Sequence, residues 1–253
     1  MNRIDQKLAQ SSNVLSIYFT AGFPNLNDTV PTLINLEKSG VDLIEIGLPF
    51  SDPLADGPTI QASSTQALAN GMSTQVLFDQ LENIRASVQV PLIIMGYINP
   101  VLQYGVERFL QACQRIGIDG LILPDLPLEI YTSQYQELFE QYNIHLIQLI
   151  TPQTSEARIN AIDQVSKGFI YMVSTAATTG NTGVFSDEQQ EYFKRIAAMN
   201  LKNKQLIGFG IHNKETFDCA TNYQSGGIIG SDFVRYVSEH GIDHLEKYTK
   251  KYR

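Results

Sequence analysis

Residues 43–58 read Leu43-Ile44-Glu45-Ile46-Gly47-Leu48-Pro49-Phe50-Ser51-Asp52-Pro53-Leu54-Ala55-Asp56-Gly57-Pro58. The stretch opens with a short run that is apolar apart from Glu45, a pattern typical of a strand buried on both faces. A stiff loop rich in proline and glycine follows and carries two aspartates. A buried strand that ends in such a loop predicts one unit of an α/β protein, and the rest of the chain repeats this unit.

Short apolar runs recur along the whole chain. They are Val14–Phe19, Leu43–Ile46, Leu92–Met95, Gly120–Leu123, His145–Ile150, Phe169–Val173, Gln205–Phe209 and Gly226–Ile229. Between them lie segments with helical periodicity: residues 29–38, residues 109–116 before Gly117, and a segment that starts at the cap Ser155 and ends at Gly168. Strands that alternate with helices at roughly 30 residues per unit predict parallel pairing with right-handed crossovers.

The predicted fold class is therefore α/β, a (β/α)₈ TIM barrel that forms a single domain over residues 1–253. The length of 253 residues agrees with this fold, because single α/β barrels commonly run to ~250 residues. An open doubly wound sheet is the alternative. It is disfavoured as a dinucleotide-binding fold because Ala21-Gly22-Phe23-Pro24 follows the first strand with one glycine, where a Gly-x-Gly-x-x-Gly motif is expected.

Composition and charge exclude several classes of protein. The chain has 18 Lys+Arg against 26 Asp+Glu, a net charge of −8, which argues against a nucleic-acid surface. The apolar stretch at 91–98 is far shorter than the ~20 residues that span a bilayer, and residues 1–12 lack the apolar core of a signal peptide. His240 and His244 are interrupted by Gly241, so no metal site is expected. We expect a cytoplasmic, soluble protein.

Glu45 is the first candidate for chemistry. Because side chains alternate along a strand, Glu45 faces away from Ile44 and Ile46 and toward the interior of the barrel. Burial raises the pKa of a carboxyl, so that it can hold a proton near neutral pH. A buried ion pair is the structural alternative, but none of the eight predicted strands carries Lys or Arg. Asp52 and Asp56 stay open at this point, since aspartates in turns are commonly Asx turns or helix caps.

The last two strand–helix units carry glycines that indicate a second candidate site. Gly208-Phe209-Gly210-Ile211 follows the seventh strand, and Gly226-Gly227-Ile228-Ile229-Gly230-Ser231 ends the eighth. Glycines let backbone N–H groups approach an anion, and Ser231 begins a predicted helix whose dipole favours negative charge. Loops at these positions are the usual phosphate site of such barrels, although tight turns would explain them too. The small polar residues 174–183 predict either a lid over the site or a plain surface loop.

The string Glu45–Gln61 closely resembles the signature of the tryptophan synthase alpha chain family. Supporting motifs are Tyr18–Pro24, Met95–Pro100, Pro124–Pro127 and Gly208–Ile211, so that the resemblance covers essentially the whole chain. The resemblance implies a (β/α)₈ barrel and a lyase of tryptophan biosynthesis. The implied reaction is retro-aldol cleavage of indole-3-glycerol phosphate to indole and glyceraldehyde 3-phosphate.

The resemblance also implies residue roles and partners. Glu45 would protonate the indole ring carbon that bears the side chain and remove the side-chain hydroxyl proton, while Asp56 would stabilise the positive charge on the indole nitrogen. The implied phosphate contacts are Gly180, Gly210, Gly230 and Ser231, and the implied pocket residues are Tyr18, Tyr97, Tyr171 and Thr179. The family works as a cytoplasmic α₂β₂ heterotetramer. Its beta chain holds pyridoxal phosphate and joins indole to serine, and no cofactor is expected in this chain.

The predicted lid departs from the family pattern. Where members read Ser-Arg-x-Gly-Val-Thr-Gly, residues 174–180 place Thr175 at the arginine and Ala177 at the inner glycine. A threonine hydroxyl has one donor and a short reach, so we expect a lid that closes less firmly.

Two other function classes stay open from the residues. A different phosphate-binding barrel enzyme, such as a sugar-phosphate isomerase or indole-glycerol-phosphate synthase, would need a lysine near a strand end. A non-catalytic partner barrel would not need Glu45 and Asp56 together.

Overall fold

A computed structural model describes residues 1–174 and 184–253, and its strands close into a barrel. The strands are β1 (Val14–Thr20), β2 (Leu43–Gly47), β3 (Leu92–Met95), β4 (Gly120–Ile122), β5 (His145–Ile150), β6 (Phe169–Val173), β7 (Lys204–Gly208) and β8 (Gly226–Ile229). Each strand pairs in parallel with the next in chain order, and β8 closes the barrel on β1 through the pair Ile17 and Ile229. This confirms the predicted (β/α)₈ barrel and excludes the open sheet.

Helices connect the strands and cover the outside of the barrel. In the described ranges they are α1 (Arg3–Gln10), α2 (Thr29–Lys38), α3 (Pro58–Ala69), α4 (Thr74–Leu81), α5 (Ile98–Tyr104), α6 (Val106–Ile116), α7 (Leu128–Ile130), α8 (Gln136–Gln141), α9 (Glu156–Val165), α10 (Asp187–Ala198), α11 (Lys214–Tyr223), α12 (Ser231–His240) and α13 (Leu245–Thr249). Gly117 ends α6 in the left-handed conformation, as predicted. Ser155 caps α9, also as predicted, but the helix ends at Val165 rather than at Gly168. None of the helices in residues 1–174 and 184–253 combines the length and apolar character needed to cross a membrane.

Alternate residues of the strands fill the barrel interior. A buried cluster inside the barrel includes Val14, Leu43, Ile93, Ile122, Ile147, Phe169, Leu206 and Ile228. Ile4 and Leu8 of α1 belong to the same cluster, and Asn2 donates a hydrogen bond to the Asp119 carbonyl just before β4, so α1 covers the end of the barrel at which the strands begin. The sequence prediction described residues 1–12 only as polar and missed this helix.

Four strands differ from their predicted bounds by one residue: β1 extends to Thr20, β2 extends to Gly47, β4 ends at Ile122, and β7 is shifted at both ends. β7 begins at Lys204, one residue early, so the expectation that no basic residue lies on a strand is wrong at this position. Lys204 is exposed at the start of β7 and forms no ion pair with Glu45. At the other end, Phe209 lies just outside the strand and takes a left-handed φ of 68°.

Candidate active site

Glu45 lies in the middle of β2 with its side chain fully buried inside the barrel. The Ser16 hydroxyl donates a 3.0 Å hydrogen bond to Oε1, while Oε2 has no hydrogen-bond partner among the described residues. Burial raises the pKa of Glu45 to about 8, and the bond from Ser16 opposes this only in part. The carboxyl is therefore mostly protonated at neutral pH, as predicted, and one oxygen is available to exchange a proton with a bound molecule.

Asp56 lies half-buried in the loop between β2 and α3. The Tyr97 hydroxyl donates a 3.0 Å hydrogen bond to its Oδ2 and accepts one of 2.9 Å from the backbone N–H of Ala55. Burial raises the pKa of Asp56 above its usual value, and the hydrogen bond from Tyr97 offsets this only in part. Asp52, in contrast, is exposed and accepts a 2.6 Å bond from its neighbour Ser51. Of the two aspartates that the sequence left open, only Asp56 is bonded to a predicted pocket residue, Tyr97, in the described part of the chain.

Two buried tyrosines lie near both carboxyl groups. Tyr18 lies opposite Glu45 in the register of β1 and β2, and Tyr171 lies on β6. Burial raises the pKa of both phenols, and the negative charges of Glu45 and Asp56 raise it further. Because each tyrosine is close enough to interact with both carboxyl groups, the four side chains form one cluster.

Two glycines make room for these tyrosines. A Cβ atom on Gly47, at the end of β2, would collide with the ring and hydroxyl of Tyr18. A Cβ atom on Gly208, at the end of β7, would collide in the same way with Tyr171. The sequence analysis gave Gly47 no role and linked Gly208 only to a phosphate-binding turn, because both contacts with the tyrosines join residues of different strands.

A narrow cleft of about 10 Å³ lies beside Asp56. Its lining includes Tyr18, Leu48, Phe50, Asp56, Met95, Tyr97 and Pro124. Phe50 packs against Tyr97 with the ring centroids 5.1 Å apart. A mostly apolar cleft with one carboxylate at its wall suits a flat aromatic ring that carries a single polar N–H group.

The first turn of α12 is open to an anion. Gly230 is the N-cap residue and supplies no side-chain cap, and the first bond within the helix runs from the Val234 N–H to the Gly230 carbonyl. The N–H groups of the first turn thus have no side-chain partner in the described part of the chain, and the helix dipole favours negative charge there. This agrees with the predicted phosphate site at Gly230 and Ser231.

Two side chains hold the turn after β7, where Gly210 has a φ of 76°. The Ser174 hydroxyl donates a 2.8 Å bond to the Phe209 carbonyl, and Nδ1 of His212 lies 2.9 Å from the Gly210 carbonyl oxygen. A carbonyl oxygen only accepts, so Nδ1 carries the hydrogen. The sequence analysis gave His212 no part here, since the bond depends on a left-handed turn that glycine content alone does not locate.

Four residues named from the sequence lie outside the described residues. They are the predicted substrate contacts Thr179 and Gly180, and Thr175 and Ala177, on which the expectation of a loosely closing lid rests. Within residues 1–174 and 184–253, no group of three or more His, Cys, Asp or Glu side chains is arranged to hold a metal ion.

Comparisons with known proteins agree with one another. A family model described as tryptophan synthase alpha chain matches residues 4–253. The tryptophan synthase alpha chain of Flavobacterium johnsoniae is 62% identical over 253 residues and covers 100% of both chains. That of Flavobacterium psychrophilum is 62% identical over 251 residues, 99% of each chain. Among solved structures, the alpha chain from Legionella pneumophila is 30% identical with a TM-score of 0.88, covering 100% of this chain and 96% of that one.

Proposed function

Because this chain belongs to the tryptophan synthase alpha chain family, we propose that Glu45 and Asp56 carry its lyase reaction. That reaction is the cleavage of indole-3-glycerol phosphate to indole and glyceraldehyde 3-phosphate. The proposal is carried by one observation: a fully buried carboxyl, with one oxygen unpartnered among the described residues and its pKa raised by burial to about 8, lies near a second carboxylate.

The two carboxyl groups divide the chemistry. Glu45 gives its proton to the ring carbon that bears the side chain, which leaves positive charge on the ring nitrogen. Asp56 accepts a hydrogen bond from that N–H group and stabilises the charge. The Glu45 carboxylate then removes the side-chain hydroxyl proton. The carbon–carbon bond breaks, its electron pair returns to the ring, and Glu45 is protonated again.

The remaining substrate contacts divide by chemistry. Tyr18, Tyr97 and Tyr171 surround the aromatic ring, while Gly210, Gly230 and Ser231 bind the phosphate through backbone N–H groups and a hydroxyl. Thr179 and Gly180 join this set on the resemblance to the family.

The test is release of indole by the purified full-length chain, followed by indole fluorescence. The chain contains no tryptophan, so the protein contributes little background. A sugar phosphate without the indole ring serves as the control substrate. A chain that leaves indole-3-glycerol phosphate intact, with and without a beta chain, would contradict the proposal.

Gly47→Ala should weaken substrate binding. The added methyl group displaces the Tyr18 ring into the cleft. Overpacking costs about 1–3 kcal/mol, and a cost of that size on substrate binding is roughly a ten- to hundredfold rise in KM. Adding Tyr18→Leu makes room for the methyl group and should recover part of the loss. Steady-state kinetics and the thermal midpoint measure both effects. An unchanged KM for the single variant would mean that Tyr18 moves away from the bound ring.

A beta chain is the proposed partner, with pyridoxal phosphate held in that chain. Exposed apolar side chains support the proposal: Leu54 follows β2 and is 90% exposed, Leu102 follows β3, and Ile130 follows β4. The segments that follow three neighbouring strands thus present apolar residues at the same end of the barrel, around the loop that carries Asp56. Docking there would act directly on a catalytic carboxylate.

Leu102→Asp should prevent stimulation by the beta chain. We expect weak indole release by the isolated chain and a large increase on adding beta chain, which a charge in the apolar surface would abolish by weakening docking. Ala86→Asp adds the same charge at an exposed position in the turn before β3, at the opposite end of the barrel, and should leave stimulation intact. Full activity of a monodisperse isolated chain would argue against a partner-dependent enzyme.

We also infer that residues 1–253 form one domain that works in the cytoplasm. Both ends of the chain support a single domain, because Ile4 packs inside the barrel and Leu245 and Tyr248 pack in the core outside it.

A further inference from the structure

Asp232 is the second residue of α12, beside the proposed phosphate contact Ser231. A carboxylate in the first turn of a helix ordinarily interacts with the free N–H groups there. It would compete with a phosphate for those groups and repel its charge. The Asp232 side chain is only 20% exposed, so solvent screens it incompletely.

Side chains of the C-terminal segment, residues 245–252, donate hydrogen bonds to this carboxylate instead. Oδ2 of Asp232 accepts hydrogen bonds of 2.7 Å from Tyr248, 2.9 Å from Tyr252 and 2.7 Å from the Lys251 ammonium. Oδ1 has Arg235 at 3.5 Å, and neither oxygen bonds a backbone N–H group of the first turn in the described structure. Burial raises the pKa of Asp232, but these donors outweigh it and lower the pKa overall, so the group is ionised.

The donors are themselves fixed in place. Tyr248 and Tyr252 are buried, and their hydroxyl oxygens lie 3.3 Å apart. The Lys251 ammonium lies 4.0 Å from the ring centroid of Tyr248 and 4.9 Å from that of Tyr252. The Thr249 hydroxyl ties the segment to the Ser39 carbonyl at 3.0 Å. The segment therefore presents a cation and two hydroxyls to one carboxylate in a defined geometry.

We infer that the C-terminal segment keeps the phosphate site usable: Lys251, Tyr248 and Tyr252 hold the Asp232 carboxylate off the first turn of α12 and Lys251 balances its charge. Lys251 is thus a positioning residue for the substrate phosphate. The inference rests on the proposed function, since it needs the phosphate to bind at Ser231.

The decisive experiment first removes the positive charge of Lys251 and then the negative charge of Asp232. Lys251→Ala should raise KM for indole-3-glycerol phosphate by about three- to tenfold, as expected when a carboxylate beside a helix N-terminus loses its nearest cation and keeps only Arg235 at 3.5 Å, and leave kcat within about twofold. The constant for competitive inhibition by inorganic phosphate should weaken by the same factor. Asp232→Asn in the same chain should restore both values. Lys250→Ala, which removes an exposed charge from the same segment, is the matched control and should change neither.

Each other outcome has a definite meaning. Equal behaviour of Lys251→Ala and Lys250→Ala overturns the inference, and so does a double variant that stays as impaired as Lys251→Ala, because lost packing would not be rescued by Asp232→Asn. Thermal midpoints confirm folding, and Lys251→Gln, which retains most of the side chain, replaces the alanine if that variant is unstable. Failure of the proposed function is distinguishable: Ser231→Ala would then leave KM and phosphate inhibition unchanged in the otherwise wild-type chain.

Discussion

Glu45→Gln should lower the rate of indole release by ~10²–10⁴ while the barrel stays folded. The amide has nearly the same shape and keeps an oxygen for the Ser16 hydroxyl, but it cannot give a proton to the ring carbon or take one from the hydroxyl. The loss should fall on kcat, because proton transfer belongs to the transition state rather than to substrate binding. Near-native turnover would exclude Glu45 as the acid–base group.

The same substitution should stabilise the folded chain at alkaline pH. The pKa of Glu45 is about 8 in the folded chain and 4.5 in the unfolded one, so between these values the folded state holds a proton that the unfolded state has released. Stability therefore falls as pH rises from 4.5 to 8, by at most about 1.4 kcal/mol per pH unit, and the full cost is present above 8. The amide has no such cost.

Denaturant unfolding at several pH values measures this difference. The stability advantage of Glu45→Gln should be smallest below pH 4.5, grow toward pH 8 and then level off. Glu137→Gln makes the same chemical change at an exposed position and should show no such growth. A pH-independent difference would mean that the Glu45 carboxyl ionises as easily in the folded chain as in the unfolded one.

Asp56→Asn should reduce turnover by roughly 10²–10³, as the loss of a transition-state charge partner does. The asparagine oxygen can still accept the bond from Tyr97, so the loop keeps its position while the negative charge beside the ring nitrogen is lost. Asp52→Asn, four residues earlier in the same loop, is the control, since Asp52 is exposed and its carboxylate bonds only its neighbour Ser51 among the described residues. Equal losses in both variants would assign the effect to the loop and not to Asp56.

The sequence predicted what local patterns encode. The alternation of β2 placed Glu45 inside the barrel, and the glycine after α6 and the serine before α9 marked helix ends, because each signal lies within a few residues of its effect. Eight buried runs that alternate with helical segments then favoured a closed barrel over an open sheet.

Contacts between distant segments could not be predicted in this way. Asp56 differs from Asp52 through the hydroxyl of Tyr97, which lies 41 residues further along the chain. The room for Tyr18 comes from Gly47 on the next strand, and the partners of Asp232 come from the C-terminal segment. None of these pairs leaves a periodic trace in the sequence.

The helix at the start of the chain limits how molecules reach and leave Glu45. With Ile4 and Leu8 packed against the buried strand residues, α1 covers the end of the barrel where its strands begin, so that within residues 1–174 and 184–253 the open end is the one where the strands finish. On the proposed assignment, glyceraldehyde 3-phosphate and indole form beside Glu45 and leave through that open end, past the loop of Asp56 and the apolar rim at Leu54. A partner seated on that rim would stand across the exit path, so that indole would meet the partner's surface before it meets bulk water.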